Sequence, residues 1–195
     1  MFNKTSSAII KQFEAYDLVN SENREVYFFG IQQGLILLLN LTSMILIGIL
    51  MHQWLQCVLY MALFIPLRSF AGGYHACSSQ RCYVYSVACV AISMFITKFN
   101  LLNFTYCYCI TVISGLIIFF LAPVEDHNKP FDKVEIIHYR VRTRVVLIIE
   151  GLFWIVSCNL KWRTGVICTT LALLSLSLML ILGIVKNTRN KPKPK

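Results

Sequence analysis

Six long apolar runs separated by short polar gaps dominate this chain, at roughly residues 31–51, 54–70, 82–97, 101–122, 145–160 and 166–185. Most lack the recurring polar face that a water-soluble bundle would carry. Such runs read as membrane-spanning helices, because a backbone placed in hydrocarbon must satisfy its own hydrogen bonds. The second and third runs are the weakest. The clean apolar core of the second, Trp54 to Leu67, has 14 residues and ends at Pro66 and Arg68. At ~1.5 Å per residue it covers about 21 Å of a ~30 Å hydrocarbon layer. The pattern predicts an all-α integral membrane protein with about six transmembrane helices. In the alternative there are four spans, with 54–70 and 82–97 forming a re-entrant hairpin. Ahead of the runs, residues 5–19 put Ile9, Phe13 and Tyr16 on one helical face with Ile10 beside it. That spacing predicts a short amphipathic helix, lying on the membrane surface or packed on the protein's own loops.

Composition agrees. Apolar residues make up 57% of the 195 positions and charged residues 14%, where a soluble domain carries about 25% charged. The first 25 residues are too polar for a secretory signal peptide, so insertion is expected to use the spans themselves, as in a bacterial inner-membrane protein. The net charge of +9 does not point to nucleic acid, because the cations sit in the gaps between runs and in the last ten residues. That placement suits anionic lipid headgroups and the positive-inside rule. With six spans, fifteen Lys and Arg fall on the side of the two termini and three on the other. Both termini and both longer loops are therefore expected in the cytoplasm, at the bacterial cell membrane. The organisation reads as an amphipathic segment (1–25), a polytopic membrane domain (26–185) and a basic tail (186–195).

Six of the eight cysteines lie in or beside apolar runs, where Cys behaves as a small hydrophobe, and Cys107-Tyr-Cys109 lacks metal-ligand spacing. No disulfide framework and no zinc site is expected. Asn40 reads as a hydrogen-bonding contact between helices. Glu150, an acid at membrane depth, is either functional or paired with Arg142 or Arg144. His127 and His138 read as solvated loop histidines, and His52 falls on the opposite side.

The polar segment Arg68 to Cys82, RSFAGGYHACSSQRC, stands apart. Its His lies close in sequence to Cys outside the hydrocarbon runs, and a Cys nucleophile needs a neighbouring base to become thiolate. His75 and Cys82 are seven residues apart, so one straight helix would hold them ~10.5 Å apart along its axis. The chain must instead turn. Gly72-Gly73 permits a sharp turn before His75, and HACSSQ can loop back so that His75 reaches Cys82. A helix beginning at Cys82, with Arg81 beside it, would favour the thiolate through its N-terminal dipole. The plainer reading is a polar turn whose His meets lipid phosphate.

Arg68-x3-Gly72-Gly73-x-His75-Ala76 followed by Cys82 resembles the core motif of the accessory gene regulator protein B (AgrB) family of membrane cysteine peptidases. Ala122-Pro123 followed by Asn128-Lys129-Pro130 is similar to that family's second signature, and the span pattern, the basic loop and the cationic tail also agree. The acidic pair Glu125-Asp126 stands out in that otherwise basic loop. The resemblance implies that Cys82 is the nucleophile and His75 the general base, then acid. It implies site-shaping roles for Arg68, Gly72 and Gly73, with nearby backbone N–H groups as oxyanion-hole candidates, and a substrate or structural contact for Lys129. Ser78, Ser79, Gln80 and Asp126 are all able to orient His75. The implied partners are a small membrane-associated propeptide, anionic lipids and a second copy of the chain. The implied product is a cyclic thiolactone or lactone used in quorum sensing. No metal, nucleotide or organic cofactor is implied. The rival reading is a non-enzymatic transporter or peptide-export partner.

Overall fold

The computed structural model describes residues 3–16, 23–74, 79–125 and 132–189. Among them the chain forms seven α-helices: α1 (Asn3–Ala15), α2 (Arg24–Leu50), α3 (Trp54–Ala71), α4 (Ser79–Lys98), α5 (Phe104–Leu121), α6 (Lys133–Asn159) and α7 (Arg163–Arg189). Five of them, α2, α3, α4, α5 and α7, are long and apolar enough to cross a bilayer. The multi-pass, all-helical expectation holds.

The two weak runs gain length from their polar ends. Arg68 and Ser69 continue α3, and Ser79 to Arg81 precede the apolar part of α4. With 18 and 20 residues, the helices reach about 27 and 30 Å at 1.5 Å per residue. They do not form a hairpin packed on itself. α3 packs mainly against α7, α6 and α2, while α4 packs chiefly against α2 and touches α3 little. α6 is long, but Arg142, Arg144 and Glu150 interrupt its apolar stretch. Its start is fixed by a capping interaction in which Glu135 accepts from the Asp132 N–H at 3.1 Å.

α7 is the hub, packed against α5, α3, α6 and α4, and every residue from Gly165 to Leu173 is buried. No water competes for hydroxyls at this depth, so they bond across helices or back to their own carbonyls. Thr111 of α5 meets Thr170 of α7 at 2.8 Å, and the Ser177 hydroxyl donates to Ser114 at 3.4 Å. Asn40 does not play the bridging part expected of it, since its buried Oδ1 has no partner.

The interhelical turns collect at two ends. At one, Arg163 reaches the carbonyls of Asn100 and Leu102 at 3.4 and 3.5 Å. At the other, residues 72–74, 122–125 and the last turns of α7 come together. α1 packs on a helix, not on loops. It buries Ser6 and Ile10, Gln32 donates to Asn3 at 2.8 Å, and Arg24 pairs with Glu14 at 2.8 Å. Phe13 and Tyr16 stay exposed.

Candidate functional site

The second of these ends holds the candidate site, and its frame is backbone. α3 stops at Ala71 because Gly72 and Gly73 take φ of +68° and +110°, which side-chain-bearing residues rarely adopt. A Cβ on Gly72 would also collide with the Val124 carbonyl. The absence of side chains lets the turn pair with the segment after α5. Gly72 and Val124 form a parallel bridge, the Gly73 N–H donates to Val124 O, and the Val124 N–H donates to Ala71 O, both at 3.0 Å. One residue on, the Tyr74 N–H donates to Met179 O of α7 at 2.9 Å.

Arg68 closes the frame from inside. Its guanidinium donates to the Gly72 carbonyl and, at 2.7 Å, to the Tyr74 carbonyl. A planar fork with five donors suits this two-point grip. The bonds across 71–74 also remove three candidates from one expectation. The amides of Gly72, Gly73 and Tyr74 all donate to protein carbonyls, those of Arg68, Val124 and Met179. They are not open oxyanion-hole donors.

Beside this frame lies a cavity of about 450 Å³ lined by Arg68, Gly72, Tyr74 and Met179 and, from α4, by Cys82, Tyr85 and Ser86. α4 begins at Ser79, so Cys82 sits in its first turn as a half-buried free thiol. There the helix dipole favours an anion. The Arg68 guanidinium lies within Coulomb range of the thiol. The Tyr74 ring meets the Tyr85 ring edge-on at 5.9 Å, and the Lys186 ammonium stands over Tyr74 at 5.5 Å.

Arg68, Gly72 and Cys82 thus line one cavity, with Gly73 in the turn that frames it. His75, Cys77, Ser78, Asp126, His127 and Lys129 lie outside the described residues, as does the side chain of Ser79. His75 follows Tyr74 by one peptide bond. Lys129 belongs to the segment after Glu125, whose carbonyl accepts from Asn187 of α7 at 2.8 Å. His52 lies in the turn between α2 and α3 at the opposite end, and His138 is exposed on α6. Glu150 pairs with neither arginine. It is 3% exposed with both oxygens unpartnered. Arg142 instead stacks over Phe70 at 5.4 Å and Arg144 over Phe119 at 4.3 Å.

Sequence reasoning missed Tyr85, Ser86, Met179 and Lys186. Tyr85 and Ser86 were within reach, being three and four residues after Cys82 and so on its helical face. A backbone carbonyl such as Met179 O leaves no trace in sequence.

The accessory gene regulator B family model matches residues 3–186 of the chain. An AgrB-like protein of Clostridium perfringens (strain SM101 / Type A) is 26% identical over 175 residues, covering 83% of this chain and 81% of that protein. AgrB-like protein 2 of C. perfringens (strain 13 / Type A) is 24% identical over 137 residues, covering 67% of this chain and 64% of that protein. No solved structure matches.

Proposed function

The chain belongs to the accessory gene regulator B family, and from that premise we propose that it is a membrane-embedded cysteine endopeptidase that matures a small quorum-sensing propeptide. Family membership supports a role in propeptide processing. The finer reading rests on one observation, the cavity that Cys82 shares with the Arg68-clamped turn leading into His75.

In the proposed reaction His75 takes the Cys82 thiol proton and the thiolate attacks the scissile carbonyl. His75 then passes the proton to the leaving amine, and the C-terminal fragment departs. The N-terminal fragment stays on Cys82 as a thioester. His75 then takes the proton of a propeptide thiol, which attacks that thioester, closes a thiolactone and releases the Cys82 thiolate; a hydroxyl would close a lactone. With the amides of 72–74 engaged elsewhere, Arg68 is the fixed positive charge facing the developing oxyanion. It bonds two carbonyls and still has N–H groups to offer. The half-buried thiol matters because exchange between thioesters is near balance, whereas hydrolysis runs strongly downhill, so water must be kept out until transfer.

The test is to incubate the purified chain with candidate propeptides and trap the adduct. A mass increase on the Cys82 peptide, removed by hydroxylamine, identifies the thioester. Turnover without an adduct that survives Cys82→Ala would overturn the assignment.

A further inference from the structure

α4 leans on α2, and its contact with α7 is slight. Between α4 and α7 a groove of about 500 Å³ runs away from the site. Its walls are almost wholly apolar, with Ala88 and Ile92 from α4 and Leu178 and Leu182 from α7. Tyr74, Tyr85 and Met179 line both this groove and the cavity at Cys82. The two volumes therefore adjoin at those residues.

The groove follows one face of α4. Tyr85, Cys89, Ile92 and Ile96 recur at three- and four-residue spacing on the face that Cys82 begins, so its lining runs about 16 Å from Tyr85 toward the far end of the helix. A dry cavity of about 150 Å³ accepts benzene, so this groove has room for more than one large side chain. At the end beside the thiol cavity Lys186 stands over Tyr74.

We propose that this groove is the subsite for apolar side chains on the acyl side of the scissile bond. The inference rests on the peptidase reading above and deepens it. The acyl fragment is the part that stays covalently on Cys82 after the first step. Side chains held in a dry groove beside the thioester anchor that fragment and keep water from its carbonyl. The departing fragment needs no such hold. A lipid chain or a second copy of the protein would also cover apolar walls, but neither would tie thiol reactivity to the side chain of the peptide under attack.

The experiment uses the full chain with two small probes, acetyl-phenylalanyl and acetyl-glycyl chloromethyl ketone. In each, the Cys82 thiolate displaces chloride and forms a thioether, which peptide mapping quantifies. Cys109 of α5 is exposed and serves as the internal standard for partition of the apolar probe into detergent or lipid. The phenylalanyl-to-glycyl rate ratio at Cys82 should exceed that at Cys109 by roughly tenfold or more, as burial of one large apolar side chain implies. Ala88→Phe should erase that excess. Ile92→Ala, a truncation at a site 60% exposed, should move the preference toward a naphthylalanyl probe, and it carries the test alone if Ala88→Phe does not fold. Equal ratios at the two cysteines, or an excess untouched by both variants, would overturn the subsite and leave lipid or a second copy as occupant. A different failure marks the peptidase reading. If Cys82 reacts with the glycyl probe no faster than Cys109 does, Cys82 is not an activated nucleophile and the subsite falls with it.

Discussion

Gly183 of α7 lies against the backbone nitrogen of Tyr74, and a Cβ built at Gly183 would stand 2.9 Å from it. The same Cβ would stand 2.9 Å from the Gly73 carbonyl carbon. α7 therefore holds the turn before His75 by a carbonyl, Met179 O, and by a missing side chain one helical turn later. Both crowded atoms are backbone and cannot swing aside. Gly183→Ala should cost about 1–3 kcal/mol, the usual range for overpacking, and should lower propeptide cleavage more than it lowers yield. Gly151→Ala, where nothing lies within 4 Å of the added methyl, should be neutral or stabilising by about 0.5–1 kcal/mol. Thermal unfolding and cleavage measured on both variants check the contrast.

Arg68 is the next test, because it grips two carbonyls and lines the cavity with the thiol at once. Lysine keeps the charge but offers a single point of attachment on a flexible stem. Arg68→Lys should therefore lose at least about tenfold in cleavage, on the order of 1.4 kcal/mol. Arg68→Ala should lose more and also slow alkylation of Cys82. Cleavage by Arg68→Lys at the wild-type rate would show that charge alone suffices and that the grip on 72–74 is dispensable.

How much of this was legible in the sequence depends on scale. The apolar runs foretold α2 to α7 because hydrocarbon forces contiguous helices, and Gly72-Gly73 foretold the end of α3 because only glycine takes those φ values freely. The boundaries of α3 and α4 ran past the apolar residues because a helix continues into the headgroup layer on polar side chains such as Arg68 and Ser79. The Gly72–Val124 bridge was invisible for another reason. It is a backbone pairing between residues 52 positions apart, made by amides that every sequence has. The same invisibility made the 72–74 amides look free for an oxyanion. Of the two readings of Glu150, the pairing one fails because the helix turns its carboxylate inward and leaves both arginines over aromatic rings.

Glu150 is buried without a donor, and so is the Trp154 indole N–H one turn on without an acceptor. An apolar replacement of similar volume removes that unsatisfied group, whose burial without a partner costs about 1–3 kcal/mol. Glu150→Met should keep or raise Tm and leave cleavage unchanged, whereas Glu150→Lys should fail to accumulate. Loss of cleavage by Glu150→Met at normal Tm would give the acid a part in the reaction.

Orientation rests on the fifteen-to-three division of cations and on the gathering of turns at two ends. Reporters fused after Met51, Lys98 or Arg163 should read outside, and those after Gln80, Lys133 or Lys195 inside. A cytoplasmic reading at Met51 with an external one at Lys195 would reverse the protein in the membrane and put the site on the other face.

The assignment of nucleophile and base turns on neighbours that exposure alone does not separate. Cys77 and Cys82 are five residues apart, and Cys82 alone of the two is among the described residues. If Cys82 carries the acyl group, Cys82→Ala abolishes cleavage, because among the described residues lining the cavity Cys82 is the one thiol. Cys82→Ser loses nearly all of it, since a hydroxyl is far harder to deprotonate than a thiol. Cys77→Ala stays within a few-fold of wild type. His75→Ala falls as far as Cys82→Ala, since the base that takes the thiol proton also supplies it to the leaving amine. His127→Ala, His138→Ala and His52→Ala keep their activity; His52 sits at the wrong end of the bundle and His138 is exposed on α6. Cleavage and Cys82 alkylation at pH near 6 are read on each variant, and His75→Ala should slow both. Turnover that dies with Cys77→Ala and survives Cys82→Ala would move the nucleophile out of the Arg68 cavity and undo the dyad.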